Sequence, residues 1–320
     1  MTLWPAHTYE RRPYRQASRG GSKQDRTLAE IEVSLPPMIG ALVYQASPRL
    51  VSPLETAVAD LREVDSGSAS SLNTMASFLI RTDSIASSKI ESIEASTEDF
   101  ARAIAGSKAN QSATLMAAGA QAITALIDEV GVAGTFTVEA ILNAHQTLLA
   151  EDETEARFAG RFREVQNWIG GSNYSPHLAE YIPPPPELVD KYMDDLLEFL
   201  NRDDLPVVAQ AAIGHAQFES IHPFTDGNGR VGRAIINAVF RRRGVSRRVI
   251  APVASALVAN QSTYFKTLVD YRAGQVDELV LNMSLAAQIS SREALVSALN
   301  IETMPSAWLS MAKPRSGSAA

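Results

Sequence analysis

The 320-residue sequence is 45% hydrophobic and 20% charged, has a formal net charge of −7, and contains no cysteine. This composition suits one large or two modest globular domains and excludes low-complexity chains, disulfide frameworks, thiolate nucleophiles and cysteine-ligated zinc or iron–sulfur centres. Basic residues gather at the start, where Arg11, Arg12, Arg15, Arg19, Lys23 and Arg26 face only Glu10 and Asp25 within residues 1–27, so the remaining body is more acidic than the whole and argues against general nucleic-acid binding.

The basic arm lacks the apolar centre of a secretory signal, and no run approaches eighteen consecutive apolar residues. The expectation is a soluble cytoplasmic protein with no membrane span. The arm itself reads as a weakly anchored terminus, followed by an extended tether at Leu35-Pro36-Pro37-Met38. From about residue 52 the pattern turns helical. Pro53 suits the first turn of one helix, which Ser66-Gly67-Ser68 would end. Leu72, Met75, Leu79, Ala86, Ile90 and Ile93 then form an apolar stripe at near-helical spacing over about 20 residues. Stretches 112–130 and 138–150 are two more helices, with Gly131 and Gly134 between them.

Residues 157–186 break this character with Gly, Pro, aromatic and β-branched residues. Segments 163–169 and 178–182 read as a short hairpin around Gly170-Gly171-Ser172-Asn173. Pro183 to Pro186 stop any strand and lead into a helix over 187–201, with further helices at about 205–221, 230–243, 254–272 and 275–299 and a loose tail at 313–320. The predicted class is all-α with one hairpin, since no strand–helix alternation supports a parallel sheet.

The densest polar cluster lies between two of these helices: Ser220-Ile221-His222-Pro223-Phe224-Thr225-Asp226-Gly227-Asn228-Gly229-Arg230-Val231-Gly232-Arg233. Pro223 ends the incoming helix, and Asp226 to Gly229 tolerate positive φ. A glycine-rich turn before a helix N-terminus lets several backbone amides point at one phosphate. Arg230 and Arg233 share a helix face and add fixed positive charge. Asp226 is a single carboxylate, which suits Mg²⁺ shared with phosphates and water. His222 is the group able to take a proton near neutral pH. Together these describe nucleotidyl or phosphoryl transfer, although each element alone has an ordinary structural reading.

His222 to Arg230 resembles the Fic-family signature H-P-F-x-[D/E]-G-N-G-R, with Arg233 as its second arginine. Gly160-Arg161-Phe162-Arg163 with Val165 and Ile169-Gly170, Tyr181-Ile182-Pro183-Pro184-Pro185, Leu142 with His145, and Tyr264-Phe265 followed by Arg272 and Gly274 are similar to other segments of that family. The resemblance spans roughly residues 70–285, and Gly229 favours the AMP-transferring branch over the phosphotransferring one. It implies a Fic-type helical bundle with a short β-hairpin flap. The division it suggests is an arm and extended segment at 1–50, N-terminal helices at 51–110, a catalytic core at 111–285, and a C-terminal helix and tail at 286–320.

The resemblance further implies a protein adenylyltransferase that uses ATP with Mg²⁺. His222 would be general base and Asp226 the metal ligand. Gly227, Asn228, Gly229, Arg230, Val231, Gly232 and Arg233 would hold the phosphates, and Phe224 would anchor the loop. Flap residues Leu178, Ala179, Glu180 and Tyr181 would align a target protein that offers a Tyr, Thr or Ser hydroxyl, either another protein or the chain itself. Ser87-Ser88-Lys89-Ile90-Glu91-Ser92 resembles the family's inhibitory motif, with Ser92 where Gly or Asn is expected. Glu91 would pair with Arg233 and block the productive phosphate position. Asn260 and Tyr264 are candidates for the adenine pocket, and a homodimer is compatible with this picture. The alternatives are removal of AMP at the same site, transfer of another phosphate-containing group, and a non-catalytic nucleotide-binding regulatory module. His215 reads as a packed core histidine, because no third metal ligand has supporting spacing.

Overall fold

The computed structural model describes residues 4–17, 20–66 and 69–311, with side chains at 69–74, 302 and 305–311 left aside. The expected helix stop at Gly67-Ser68, Arg19 of the basic arm and the tail at 313–320 lie outside the described residues. In chain order the elements are β1 (Thr8–Pro13), α1 (Lys23–Thr27), β2 (Glu30–Leu35), α2 (Pro48–Ser66), α3 (Ala69–Ile90), α4 (Thr97–Ile104), α5 (Gln111–Ala133), α6 (Val138–Leu149), α7 (Val189–Leu200), α8 (Val207–Ile221), α9 (Asn228–Arg242), α10 (Val253–Ala259), α11 (Gln261–Arg272) and α12 (Val276–Met311). The fold is the all-α bundle expected.

At its centre, α8 is buried on every face from Val208 to Ile221 and packs against α9, α7 and α12, while α9 also packs against α5. A helix apolar all round belongs in the interior. By length and composition alone α5 could cross a membrane, yet 61% of its apolar window is buried within the bundle. Helix ends carry local signals: Asn110 and Thr137 cap α5 and α6 through the amides of Ala113 and Ala140, and Gly134 ends α5 at φ +69°.

Several expectations need correction. Helix α2 begins at Pro48, where the missing N–H is harmless, and Pro53 lies inside it. The expected helix 254–272 is two helices broken at Asn260, whose φ of −133° and ψ of 53° are not helical. Helix α12 continues well past residue 299. Segments 163–169 and 178–182 share a single antiparallel bridge, Ile169 with Tyr181, instead of a ladder.

The two-stranded ladder is formed by the N-terminal arm, where β1 and β2 pair antiparallel from Thr8–Leu35 to Pro13–Glu30. The arm is therefore ordered over these residues. Trp4 is buried against Tyr44 and Tyr271. The His7 amide donates to the Arg272 carbonyl (2.9 Å), and the Ser34 amide to the Ile182 carbonyl (2.8 Å). Ser175 donates to Asp25 at 2.7 Å, and Gln16 donates to the Tyr174 carbonyl at 3.2 Å. The arm thus braces the flap loop.

Candidate functional site

Helix α8 ends at His222, which adopts φ +50° and ψ +59°. The proline that follows disfavours right-handed helix at His222, so chain direction changes there. The turn is locked from below by Phe224, which is fully buried and stacked on His145 with centroids 3.6 Å apart. Asn228 closes the loop from the other side: its Oδ1 accepts from the Phe224 amide (2.8 Å) and its Nδ2 donates to the Phe224 carbonyl (2.9 Å). The Asn228 side chain is therefore committed to loop geometry, leaving its backbone amide for any anion. Gly227 precedes α9 at φ +77°, a conformation that suits glycine.

Two further residues hold this loop whose roles the sequence did not disclose. Arg163 is 4% exposed and donates through Nε to the His222 carbonyl (2.9 Å), with further bonds to the carbonyls of Val165, Pro184 and Ile221. The His145 Nδ1 accepts from the Gly160 amide (3.0 Å), which leaves Nε2–H to donate to the Asp226 carbonyl at 3.1 Å. Both lie in segments singled out for family resemblance; the signal was present without its mechanical meaning.

The ionisable groups are arranged for anion chemistry. The His222 Nδ1 is buried without a hydrogen-bond partner among the described residues. Burial, with the cations of Arg163 and Arg272, pushes this imidazole down to about 3, so it is neutral at neutral pH. Arg230 is 4% exposed and bonds Asp226 at 2.9 Å, while its Nε and Nη1 are buried with no partner. Those donors lie at the N-terminus of α9, where helix amides also favour an anion. Asp226 keeps its side chain half exposed, a donor set that fits Mg²⁺ accompanied by phosphate oxygens. No cluster of three or more potential ligands occurs among the described residues; Asp226 is the carboxylate of this loop that would hold such an ion.

Glu91 reaches this centre from α3. Its Oε1 lies 2.8 Å from Arg233 Nη2, and an added Cβ on Gly229 would come within 1.9 Å of the same oxygen. Arg233 is 2% exposed and also donates to Ser87 Oγ (2.8 Å) and to the Ser87 carbonyl (2.9 Å). Burial alone would raise the Glu91 pKa, but the cations of Arg233 and Arg230 outweigh it and hold the carboxylate ionised. The structure therefore brings together Ser87, Glu91, Gly229 and Arg233. Val231 and Gly232 continue α9 beneath them, both buried.

Helix α3 ends in a turn in which the Ile93 amide bonds the Ser88 carbonyl at 3.0 Å and Ser92 takes φ +59°. This is the left-handed C-terminal position that favours Gly or Asn, which gives Ser92, the one departure from the inhibitory motif, a physical cost. Ser92→Gly should stabilise the fold by about 1 kcal/mol, read as a higher urea midpoint at unchanged slope. A lower midpoint would contradict the reading of this turn.

The structure also places Tyr264 and Asn260. Tyr264 is 1% exposed, with its hydroxyl 2.8 Å from His215 Nε2 and 3.5 Å from Arg233 Nη1. It supports Arg233 from inside the bundle. Asn260 is exposed at the α10–α11 break. In the flap, Tyr181 is buried, bonds Ile169 through its backbone and donates its hydroxyl to the Ser220 carbonyl at 2.6 Å. It anchors the flap, leaving Leu178, 80% exposed, and its neighbours Ala179 and Glu180 at the surface.

Burial depresses His7, His215 and His222 to about 3 and His145 to about 4, and raises Asp83 and Glu219 to about 7. In the unfolded chain the histidines return to about 6.5 and the acids to about 4. Below pH 6.5 unfolding therefore takes up protons at four histidines and releases them from two acids. Stability should fall as pH drops, by about 3 kcal/mol between pH 7 and pH 5. Urea unfolding at the two values checks this, and equal stability at both would contradict it.

Residues 135–240 match the family model described as the Fic/DOC family. Over 140 residues the chain is 31% identical to protein adenylyltransferase fic-1 of Caenorhabditis elegans, covering 42% of this chain and 25% of that one. Over 68 residues it is 43% identical to a probable protein adenylyltransferase of Aquifex aeolicus, 21% of each chain. The chain spans about a quarter of the length of the curated relatives it matches. A crystal structure of a Fic family protein from Desulfovibrio desulfuricans G20 superposes with a TM-score of 0.65 at 24% identity, over 79% of this chain and 76% of that one. A Fic domain containing signaling protein from Bacteroides thetaiotaomicron gives 0.61 at 17% identity, over 78% and 97%. At these identities the likeness is one of fold.

Proposed function

Because the chain carries a Fic/DOC-family domain at residues 135–240, we propose that it is a protein adenylyltransferase, transferring AMP from ATP to a Tyr, Thr or Ser hydroxyl of a protein. The observation that carries this reading is a neutral His222 imidazole one short loop away from a helix N-terminus with unsatisfied Arg230 donors. A target hydroxyl near His222 gives its proton to the imidazole as its oxygen bonds the α-phosphorus. The bond to the β-phosphate oxygen breaks, and pyrophosphate leaves. The amides of Gly227, Asn228 and Gly229 stabilise the charge that develops, and Arg230 and Arg233 hold the leaving end. Asp226 would hold Mg²⁺, which supplies charge neutralisation on the phosphates when bound. The exposed edge of the flap at Leu178 to Glu180 receives the target as an extended segment.

In this reading Glu91 is an internal inhibitor, because its carboxylate occupies space beside Gly229 and engages the second arginine. The same placement favours one second reading, in which Glu91 orients water for removal of AMP from a modified protein. Incubation of lysate with ATP labelled at the α- or the γ-phosphate tests the proposal. Protein labelling from the α-position alone supports AMP transfer. Labelling from the γ-position would replace it with phosphoryl transfer, and loss of label from a pre-modified protein would favour the second reading.

A further inference from the structure

Beside the flap lies a groove of about 430 Å³ whose walls come from three elements: Tyr9, Glu32 and Ser34 of the N-terminal hairpin, Glu180 and Ile182 of the flap, and Arg272 of α11. Arg272 is its distinctive feature. The guanidinium lies 3.5 Å above the centroid of the Tyr181 ring, a cation–π contact that fixes its position. It makes no hydrogen bond or ion pair among the described residues, and its Nε is buried without a partner. A half-buried cation with an unsatisfied donor is poised for an anion, since the missing partner is what offsets its desolvation.

Three carboxylates surround Arg272, two of them in the groove wall, and none pairs with it among the described residues, although its charge counters the effect of burial on Glu219. Glu32 on β2 lies 3.8 Å from Arg11. Glu180 folds back over the flap, where an added Cβ on Gly170 would meet its Cγ at 2.9 Å. Glu219 lies within the bundle, 8% exposed, with its Oε1 against Gly232. The groove is also close to the reacting centre. Tyr181, beneath Arg272, is tied to the Ser220 carbonyl two residues before His222, and the Arg272 cation contributes to depressing the His222 pKa.

We infer that this groove is a specificity pocket in which Arg272 receives an aspartate or glutamate side chain of the target segment docked at the flap. The inference rests on the reading of the flap as a target-docking edge. An extended segment added at Leu178 to Glu180 stops short of Ile182, whose carbonyl the Ser34 amide already holds, and carries one of its side chains into the groove between them. The planar guanidinium, held flat on Tyr181, offers paired donors to a carboxylate.

Binding without ATP separates this inference from the proposed chemistry. Three fluorescein-labelled extended peptides with a central tyrosine, identical except for Glu, Gln or Lys two residues away, are titrated against the full chain by anisotropy. The Glu peptide should bind about fivefold more tightly than the Gln peptide. Arg272→Gln should abolish that preference, Arg272→Lys should retain part of it, and Arg272→Glu should shift it to the Lys peptide. Equal binding of the three peptides, no binding of any, or a Glu preference that persists in Arg272→Gln would overturn the inference. A preference for Glu peptides that are bound but never receive label from α-labelled ATP would leave the pocket standing and sink the AMP-transfer reading instead.

Discussion

Glu91→Gly should raise AMP transfer about tenfold or more over the unaltered chain, and adding His222→Ala should remove it. The Glu91–Arg233 pair joins a 2% exposed guanidinium to a side chain 38% exposed, at 2.8 Å. With solvent screening on the open side, such a charge-assisted contact is worth about 1–2 kcal/mol, a factor of roughly 5 to 30. Steric exclusion adds to it, because the carboxylate lies against Gly229 where the phosphates must approach. Removing the side chain frees Arg233 while leaving Ser87 and Tyr264 to hold it. Loss of the base should then cost about 10²- to 10⁴-fold. Incorporation of label from α-labelled ATP into lysate proteins measures both steps. Activity unchanged in Glu91→Gly would remove the inhibitory reading, and activity surviving in the double variant would remove His222 from the chemistry.

The second large effect is expected far from any phosphate. Arg163→Met should destabilise the fold by about 3–5 kcal/mol and depress activity with it. The guanidinium is buried and pairs with no carboxylate among the described residues; its bonds go to the carbonyls of His222, Val165, Pro184 and Ile221. Burial lowers its pKa to about 10, which leaves it charged at neutral pH. Methionine fills similar space and supplies no donors, so the end of α8, the flap exit and the His222 turn lose their common tie. Urea unfolding measures the loss. A change below about 1 kcal/mol would show that those carbonyls find other partners.

The loop from His222 to Gly229 was legible in the sequence because its geometry is written in residues of special backbone behaviour. Pro223, Gly227 and Gly229 leave few paths between two apolar helices, and the polar residues among them have one side on which to gather. Glu91 was legible through its neighbours, and Ser92 marked a turn that the structure then shows at positive φ. What could not be read were contacts spanning long sequence separations. The carbonyl-binding role of Arg163 and the bond from Gly160 to His145 have no local pattern. The break at Asn260 lacks a glycine or proline to announce it. Strand β1 is mostly exposed and does not alternate, so it looked like a loose arm. Its partner β2 does alternate, with Ile31 and Val33 turned inward, a signal that the charged surroundings obscured.

The N-terminal hairpin sets a limit on modularity. Family resemblance is concentrated in residues 135–240, yet the flap within that stretch is fastened by Gln16, Asp25 and Ser34, from a distant part of the chain. Grafting the matched segment into another protein would carry the turn from His222 to Gly229 but leave the flap without its scaffold. The flap's support is therefore discontinuous in sequence, and changes near the first strand can shift its position without altering a single residue of the matched segment.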